Sequence, residues 1–504
     1  MKKIYLLAIV ALLSSCMKQV ENPTESGTQP EIFPDYVGVT IPAGIAPMDF
    51  GMKDDAFTLV DVVATGSKGG ELHVQGEYAD FDVEEWHDLT ERNIGGQISF
   101  VVSALKDGKW TRYKSFVMNV SRHRLDDYGI TYRRIAPGYE CGGDIGIYQR
   151  DIHSFDEEPM FTVDAVPGQC MNCHTANRAS ADEFLLHVRG EKSGTMLQQN
   201  GRQTWLNTKT DSTKANMSYS YWHPSGNYIV SSVNTIFQAF FVGNKRRIEV
   251  YDLISDVLVY DVKKNELLLD NRLQTPDFES YPSFSADGTA IFFSTSKLCN
   301  VPVDYEKMKY SLCKIGFDPA NGTFGERVDT LLNAEALDKS FTFARPSFDG
   351  KWLMYNAMDC GNFPVNHKES DLWIMDLRNG NTRALKEVNS DDSESFHNWS
   401  SQSHWFVFSS RRIDGMYTNA YFACIGDDGK ATKPFLLPQR NPKKHYRESL
   451  DSYNCPEFTK TKVCFDARQA GSECLGGNRK QVDLAIHNSQ LKILLRQLIV
   501  DNFI

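Results

Sequence analysis

Beyond residue 15, the sequence has no hydrophobic run that could cross a membrane, because none reaches the roughly 18 apolar residues that a spanning helix needs. It also lacks an excess of positive charge, since 54 lysine and arginine residues stand against 65 aspartate and glutamate residues, a net charge of −11. A basic surface is the usual mark of nucleic-acid binding, so this balance argues against a nucleic-acid partner.

Several catalytic signatures are absent as well. No GxSxG sequence is present, and no glycine-rich loop is followed by Lys-Ser or Lys-Thr. These absences disfavour a serine hydrolase of the nucleophile-elbow type and a P-loop nucleotide enzyme. A second CxxC is missing too, which disfavours a structural zinc site, because such a site usually needs four ligands.

The chain begins as an export signal does. A basic MKK is followed by the apolar run IYLLAIVALL and by small residues, so residues 1–15 are predicted to be a signal peptide outside the fold. The ending LSSC resembles a bacterial lipobox, which implies cleavage before Cys16 and lipid attachment to it. Residues 16–35 are polar and rich in Pro, Glu and Thr, which predicts a flexible tether. The expected product is an exported bacterial lipoprotein of the outer membrane, on either its periplasmic or its surface face, held there only by its N-terminal lipid.

Residues 36–135 are predicted to form a β-sandwich. Four segments in this range are rich in β-branched and aromatic residues: FTLVDVVA, ELHVQGEY, GQISFVVSAL and WTRYKSFVMNV. Between the last two, Asp107-Gly108 predicts a tight hairpin turn.

The second half of the chain repeats itself. Five segments share an aromatic residue, a polar turn and an alternating apolar strand: 219–233, 279–295, 343–357, 396–410 and 453–467. Their predicted turns are at Gly226, Gly288, Gly350, Ser403 and Thr461. Repeats of this length, most of them followed by a further strand, fit four-stranded β-propeller blades. We therefore predict an all-β protein with a five-bladed propeller over 184–470 and keep six blades as the alternative. Strands within 185–208 are expected to complete the last blade.

The chain end, residues 471–504, is predicted to be a tail with a short helix. Within it, residues 481–500 place apolar side chains at helical spacing. Packing as a terminal helix is favoured over binding a partner.

The connection between the predicted domains, residues 136–183, contains the sequence CMNCH. Two thiols and an imidazole at this spacing are typical of covalent haem attachment. Cys170 and Cys173 would form the thioether bonds of one haem c, and His174 would be the proximal iron ligand. The alternatives are a CxxC disulfide and half of a zinc site.

Further histidines are weaker candidates. His187 follows the motif closely and is a candidate sixth ligand, with Met196 and Met171 as other choices. Three more histidines, at similar places relative to the repeats, are candidates for the mouth of the propeller: His223, His367 and His397. Capping of turns is the favoured interpretation of these three.

Eight other cysteines remain after Cys16 and the CMNCH pair: Cys141, Cys299, Cys313, Cys360, Cys424, Cys455, Cys464 and Cys474. An even number in an exported protein permits disulfides, but their pairing does not follow from the sequence. Cys299 with Cys313 is the preferred local pair, and buried free thiols are the alternative.

The repeat blocks WHPSGNYIVSSVN, YPSFSADGTAIFFS, RPSFDGKWLMYN and SDLWIMDL resemble TolB-type propeller repeats. Together with GQCMNCHTAN, LLHVRGEKSGT and CGNFPVNHKESDLWIMDL, they resemble a family of large Bacteroidetes-type lipoproteins with a TolB-like propeller and a single CxxCH motif. The resemblance covers most of residues 36–470. It implies the fold and a haem, and it leaves the physiology undefined.

Three functions are compatible with these sequence features. The preferred one is a lipid-anchored c-type cytochrome that transfers electrons and uses its propeller as a docking platform for a redox partner. The second is a binding or scaffold propeller of the cell envelope, with a structural or sensory haem and an envelope protein as partner. The third is a haem enzyme with an open coordination site. An electron carrier or a binding protein is favoured over an enzyme.

Overall fold

The computed structural model describes four segments of the chain: residues 17–136, 145–213, 215–240 and 248–485. The described residues divide into two compact units. The first runs to Arg122 and includes Pro438–Glu448, and the second comprises His123–Leu437 and continues from Ser449.

Some predictions lie outside the described residues. These are the signal peptide over 1–15, the lipidation site Cys16, the thiol of Cys141 and the part of the terminal helix after residue 485. None of the helices in the described segments is long and apolar enough to cross a membrane.

The first unit is built on one large sheet. Its strands, with those of a small second sheet, are β1 (Thr24–Glu25), β2 (Ile32–Phe33), β3 (Thr40–Ile41), β4 (Gly51–Met52), β5 (Leu59–Gly66), β6 (Glu71–Gly76), β7 (Gln97–Lys106), β8 (Lys109–Arg112) and β9 (Phe116–Val120). Strand β7 is central, because it pairs with β5 on one side and with β8 and β9 on the other. Strands β2 and β4 form the small sheet.

A helix packs on this sheet, which corrects the predicted β-sandwich. The helix spans Val83–Arg92, and the Asp82 side chain caps it by accepting hydrogen bonds from two backbone N–H groups. Trp86 is buried, with its ring 6.4 Å from that of Phe100 in β7. In the described residues, therefore, a helix rather than a second large sheet covers this core.

The predicted hairpin is confirmed. Lys106 pairs with Lys109, and the intervening Asp107 and Gly108 have φ values of 50° and 75°. Positive φ at both central residues is the geometry of the tight type I′ turn, which Asp-Gly favours.

The segment predicted as a flexible tether instead forms strands that pair within the first unit. Strand β1 pairs in parallel with β8, and Ile32 in β2 is buried. The prediction rested on the overall polar composition of residues 16–35 and gave no weight to the apolar residues Ile32 and Phe33. These two side chains pack in the first unit, and the Phe33 ring lies 6.1 Å from that of Tyr446.

The second unit is almost entirely β-structure. Its strands are β10 (Gly129–Ile135), β11 (Ile145–Asp151), β12 (Glu157–Thr162), β13 (Cys170–Asn177), β14 (Ser180–Arg189), β15 (Gly194–Gln199), β16 (Arg202–Asn207), β17 (Met217–Trp222), β18 (Tyr228–Phe240), β19 (Ile248–Asp261), β20 (Glu266–Leu268), β21 (Phe278–Phe284), β22 (Ala290–Ser296), β23 (Ser311–Asp318), β24 (Thr323–Leu332), β25 (Ser340–Pro346), β26 (Trp352–Met358), β27 (Asp371–Asp376), β28 (Thr382–Ala384), β29 (Glu394–Trp399), β30 (Trp405–Ser410), β31 (Asn419–Cys424), β32 (Phe435–Leu436), β33 (Ser452–Thr459), β34 (Lys480–Gln481) and β35 (Asp483–Ala485). Short helices span Ala334–Leu337, Pro442–Glu448 (in the first unit) and Ala467–Gly476, and 3₁₀ turns span Tyr305–Lys307 and Pro364–Asn366.

The described strands of the second unit form six sheets, here called blades, each with four antiparallel strands; two of them gain a fifth, parallel strand at the edge. Blade 1 is β33-β10-β11-β12, and blades 2 to 6 are the consecutive groups β13–β16, β17–β20, β21–β24, β25–β28 and β29–β32. The first strand of each blade contacts the first strand of the next, and the series β13, β17, β21, β25, β29 and β33 returns to β13. This ring defines a β-propeller-like fold with six blades, the alternative count, rather than five.

The ring closes differently from the prediction. Residues 185–208 do not complete the last blade; with the CMNCH strand β13, they form blade 2. Strand β33 instead pairs with β10, from Gly129↔Thr459 to Ile135↔Ser452. The predicted connection over 136–183 therefore contributes β11, β12 and β13 to the blades.

The turns between the first two strands of blades 3 to 6 coincide with the polar turns of the sequence repeats. Gly226, Gly288, Gly350 and Ser403 all have φ between 64° and 76° and connect the first two strands of their blades. Thr461 does not form such a turn, because the strand that pairs with β33 is β10, which lies much earlier in the chain. Positive φ explains why glycine occupies three of these positions.

The start of the predicted terminal helix is also corrected. Strands β34 and β35 join blades 2 and 3 as parallel edge strands, so residues 481–485 are extended. Val482, between these two strands, is buried. Its apolar side chain therefore fits the extended structure as well as it fits the predicted helix.

Candidate functional site

The innermost strands of the six blades share one irregularity near the axis of the ring. In each blade, the pairing of the innermost strand with its neighbour is interrupted by a β-bulge, in which two residues of the innermost strand lie opposite one residue of the neighbouring strand. Five of these bulges have a residue with φ between 49° and 54°: Tyr219, Tyr281, Phe343, Phe396 and Cys455. In blade 2 the bulge spans Asn172 and Cys173. Positive φ is unusual for bulky residues, and bulges of this kind redirect a side chain out of its sheet.

Four of the bulge residues form an aromatic collar, defined as Tyr219, Tyr281, Phe343 and Phe396. Successive ring centroids in the collar are 4.4, 4.1 and 5.4 Å apart. Because the rings come from four consecutive blades, the collar packs as one apolar cluster where the innermost strands meet. Tyr219 remains partly exposed, whereas the other three side chains are buried.

The CMNCH motif lies on β13, the innermost strand of blade 2. Residues paired across a sheet share one face, and His174 pairs with Leu186 whereas Cys170 pairs with Arg189. Since Leu186 and Arg189 are three residues apart on β14, His174 and Cys170 lie on opposite faces of the blade.

His174 is buried in the core between blades. Its ring lies 6.0 Å from Phe184, and burial lowers its pKa to about 4, opposed by the main chain of Thr131. Neither ring nitrogen makes a hydrogen bond of normal geometry to a described residue. The imidazole is therefore neutral, as an iron ligand must be, but it points into packed apolar side chains.

Cys173 lies in the bulge of β13, where the pairing with β14 is interrupted. Its thiol interacts electrostatically with Tyr219 of β17, Arg345 of β25 and Cys455 of β33, which belong to three different blades. Both Cys173 and Cys455 are partly exposed.

These positions do not fit a c-type haem in this fold. Two thioether bonds and an axial imidazole must border one porphyrin. Here the blade itself separates Cys170 from His174, so the three side chains do not surround a common space.

The proposed axial ligands are also separated. His187 pairs with Thr195, which places it on the face opposite His174, and its Nδ1 lies 3.0 Å from the Thr195 hydroxyl. Burial lowers the pKa of His187 to about 3. Met171 and Met196 lie on the His174 face but are buried in the same apolar cluster.

The three histidines predicted for the mouth do not converge. His223 lies in the first turn of blade 3, where its Nδ1 is 2.7 Å from the Ser225 hydroxyl, so it caps a turn. His397 lies in the bulge of β29 and donates from Nε2 to the Met354 carbonyl at 3.0 Å. His367 lies in the loop before β27 of blade 5, where its partners are Glu249 of blade 3 and Glu369 of the same loop.

A polar cluster that sequence reasoning missed lies near His367. We call Asn234, Asp252, Ser280, Tyr310 and Asn362 the mouth network. Asp252 accepts hydrogen bonds from the amides of Asn234 at 3.0 Å and Asn362 at 2.6 Å, and from the Tyr310 hydroxyl at 3.4 Å. Asn234 also donates to the Ser280 hydroxyl at 3.1 Å.

The mouth network adjoins the collar and joins three blades. Asp252 interacts electrostatically with Tyr219 and Tyr281, and burial raises its pKa to about 7. Asn234 and Asp252 lie on the long β18–β19 hairpin, whereas Tyr310 and Asn362 lie in the loops between the second and third strands of blades 4 and 5. Strands β18 and β19, of 13 and 14 residues, are the longest strands of the six blades.

His367 forms a second cluster beside the network. Its Nε2 lies 3.0 Å from Glu249 and its Nδ1 lies 3.1 Å from Glu369. Burial disfavours the charged imidazole, but the hydrogen bonds and charges of the two glutamates outweigh it and raise the pKa of His367. Elsewhere in the described segments, as here, no three His, Cys, Asp or Glu side chains gather in a way that could hold a metal ion.

The structure shows no disulfide bond among the cysteines of its described residues. Cys299 packs with Met308 and Tyr310, whereas Cys313 belongs to another cluster, so the preferred pair is not formed.

The fold places the chain among β-propeller-like proteins, and comparisons add little beyond that class. No family model and no curated protein matches the sequence. Solved structures that it resembles include the periplasmic gluconolactonase PpgL of Pseudomonas aeruginosa, at 11% identity and a TM-score of 0.38, covering 80% of this chain and 99% of that one. Prolyl oligopeptidase B of Galerina marginata shows 11% identity and a TM-score of 0.34, covering 78% and 54%. A puromycin-hydrolysing peptidase of Mycobacterium tuberculosis shows 13% identity and a TM-score of 0.32, covering 80% and 57%. Likenesses this weak carry no functional inference.

Proposed function

We propose that this chain is a ligand-binding β-propeller of the bacterial cell envelope, anchored by lipid on Cys16. The observation that carries the proposal is the mouth network, in which three blades surround the buried carboxyl of Asp252 near the partly exposed Tyr219 of the collar. Burying an ionisable group costs folding free energy, so its position where three blades meet, rather than in the core of one blade, favours a binding role.

The chemistry of the site favours a small ligand that donates hydrogen bonds. A carboxyl, two amides and hydroxyl groups recognise hydroxyl or amine donors, and aromatic faces accept C–H groups or cations. Both a neutral sugar and a primary amine have this chemistry.

Thermal unfolding in the presence of defined probes tests the proposal. Glucose, galactose and their disaccharides form one arm, and butylamine and putrescine form the other. One arm is expected to raise Tm at millimolar concentration, and Asp252→Asn is expected to abolish that rise. Asp428→Asn, in an exposed turn, is the matched control and keeps it. If neither arm raises Tm, the proposed ligand class is wrong.

The anchor has its own test. Cys16→Ser is expected to move the protein from the membrane fraction to the soluble fraction and to prevent labelling with radioactive palmitate. A variant that stays membrane-bound contradicts lipid anchoring.

The haem and the electron transfer that depends on it remain sequence-based predictions. A bound haem would supply one-electron redox chemistry, but the folded positions of Cys170 and His174 do not support it. A pyridine haemochrome spectrum after expression with c-type maturation decides the matter. A c-type band that survives denaturation would establish the haem and would require β13 to leave blade 2.

A further inference from the structure

A set of polar side chains lies two residues beyond the bulges of the innermost strands. In five blades a residue of positive φ opens the bulge, and the second residue after it occupies an equivalent position. These equivalent residues form what we call the polar layer: Tyr221, Ser283, Arg345, Asn398 and Glu457. Each has a polar or charged group, whereas the collar two residues earlier consists of aromatic rings.

Arg345 shows where the polar layer points. Its guanidinium lies 5.1 Å from the ring of Tyr221, although blade 4 separates the two blades that carry these residues. At this level blade 4 contributes only the small, buried Ser283, whose hydroxyl donates to the Ala344 carbonyl at 2.8 Å. The arginine therefore reaches past the inner strand of blade 4, into the space that the innermost strands surround.

The positive charge of Arg345 has no direct counterion. The residue is only 9% exposed, and both of its hydrogen bonds come from Nη1, to the carbonyls of Ala344 at 3.1 Å and Pro282 at 3.4 Å. Within the described segments, Nε and Nη2 make no hydrogen bond and no carboxylate forms an ion pair with the guanidinium. A buried cation without a counterion costs folding free energy, so its presence favours a role in binding.

The carboxyl of the polar layer does not neutralise this arginine. Glu457 accepts a hydrogen bond from the backbone N–H of Ala176 in blade 2, at 2.9 Å from the nitrogen. Burial also raises the pKa of Glu457 to about 7, so this group carries only part of a negative charge near neutral pH.

Other groups at this level are accessible and unused. Tyr221 and Asn398 are partly exposed although they lie on innermost strands, and the Asn398 amide makes no hydrogen bond to a described residue. The Phe343 ring, 5.8 Å from the guanidinium, and the Tyr221 ring hold the arginine between them. An oriented guanidinium with unused N–H groups matches two oxygens of a carboxylate or a phosphate.

We propose that the polar layer binds a small oxyanion, either a carboxylate or a phosphate. Nε and Nη2 of Arg345 donate to two oxygens of the anion, and the Asn398 amide donates to another. This site prefers the opposite chemistry from the mouth network, because it offers donors and a positive charge where Asp252 offers acceptors. It therefore does not rest on the ligand proposed for the mouth network.

Isothermal titration calorimetry of the full-length exported protein tests the proposal. Inorganic phosphate forms one arm and succinate the other, each in chloride buffer of equal ionic strength. One of the two is expected to bind at a single site, and Arg345→Gln is expected to weaken that binding at least about tenfold, because it removes charge-assisted hydrogen bonds. Arg327→Gln, at an exposed arginine, is the matched control and keeps the wild-type affinity. If neither anion binds, or if Arg345→Gln binds as tightly as the wild type, the proposal is wrong.

A second variant covers a failure of Arg345→Gln to fold. Asn398→Ala, at a partly exposed residue, should then weaken anion binding a few-fold, and an unchanged affinity would overturn the site. Asp252→Asn should leave anion binding intact, and Arg345→Gln should leave the sugar or amine response intact. The two proposals can therefore fail independently.

Discussion

His367 Nε2 lies 3.0 Å from a carboxylate oxygen of Glu249, and both side chains are buried. The contact joins the β18–β19 hairpin of blade 3 to the loop before β27 of blade 5. Removing one partner of a buried ion pair leaves a charge without compensation, so Glu249→Gln is expected to lower the free energy of unfolding by about 3 kcal/mol. Urea denaturation measures this. Glu335→Gln, in the exposed pair with Lys297, should change stability little, and equal losses in both variants would contradict the assignment.

The same contact predicts a loss of stability at alkaline pH. The pKa of His367 is raised above 6.5 because Glu249 and Glu369 outweigh the effect of burial. The folded chain therefore holds this proton more tightly than the unfolded chain, and the stability gained is complete below pH 6.5 and lost as pH rises through the folded pKa. Unfolding free energies from pH 6 to 9 should fall more steeply in the wild type than in His367→Gln. Identical slopes would show that His367 does not titrate in this way.

His397 should make stability depend on pH in the opposite direction. Burial lowers its pKa to about 3, so the folded ring stays neutral while the unfolded ring binds a proton below pH 6.5. Stability is therefore lost as pH falls from about 6.5 towards 3, by at most about 1.4 kcal/mol per pH unit for one group. His397→Asn should lose less stability than the wild type between pH 7 and 5. His73→Asn, at a half-exposed site, should keep the wild-type response.

The closing strand can be tested through its core. Phe458 of β33 is buried, with its ring 5.9 Å from that of Phe422 in blade 6. Phe458→Ala is expected to lower the free energy of unfolding by about 3–5 kcal/mol, since it removes buried apolar contacts and leaves a cavity. Phe237→Ala, at an exposed position of the long hairpin, should have little effect. Comparable stabilities for both variants would argue against closure by β33.

Local features of the fold were predictable from the sequence. The Asp107-Gly108 hairpin and the turns at Gly226, Gly288 and Gly350 were predicted correctly, because each depends on a few adjacent residues that adopt positive φ. The β-rich repeats likewise show their alternation within single strands.

Non-local features were missed for a physical reason. Strand β33 pairs with β10 more than 300 residues earlier, and no local pattern specifies that partner. Asp252, Tyr310 and Asn362 likewise meet only after three blades have assembled. The CMNCH spacing indicated the residue types for a haem, but the pairing of β13 with β14 decides which face each side chain occupies.

Strand β10 also fixes the timing of assembly. A ribosome delivers Gly129–Ile135 long before Ser452–Thr459, so one edge of β10 has no native partner while most of the protein is being made. An unpaired edge is a template for pairing with other chains. This places the greatest risk of aggregation in the interval before Ser452–Thr459 emerges, and a truncation that removes this strand should be damaging because it leaves that edge of β10 unpaired.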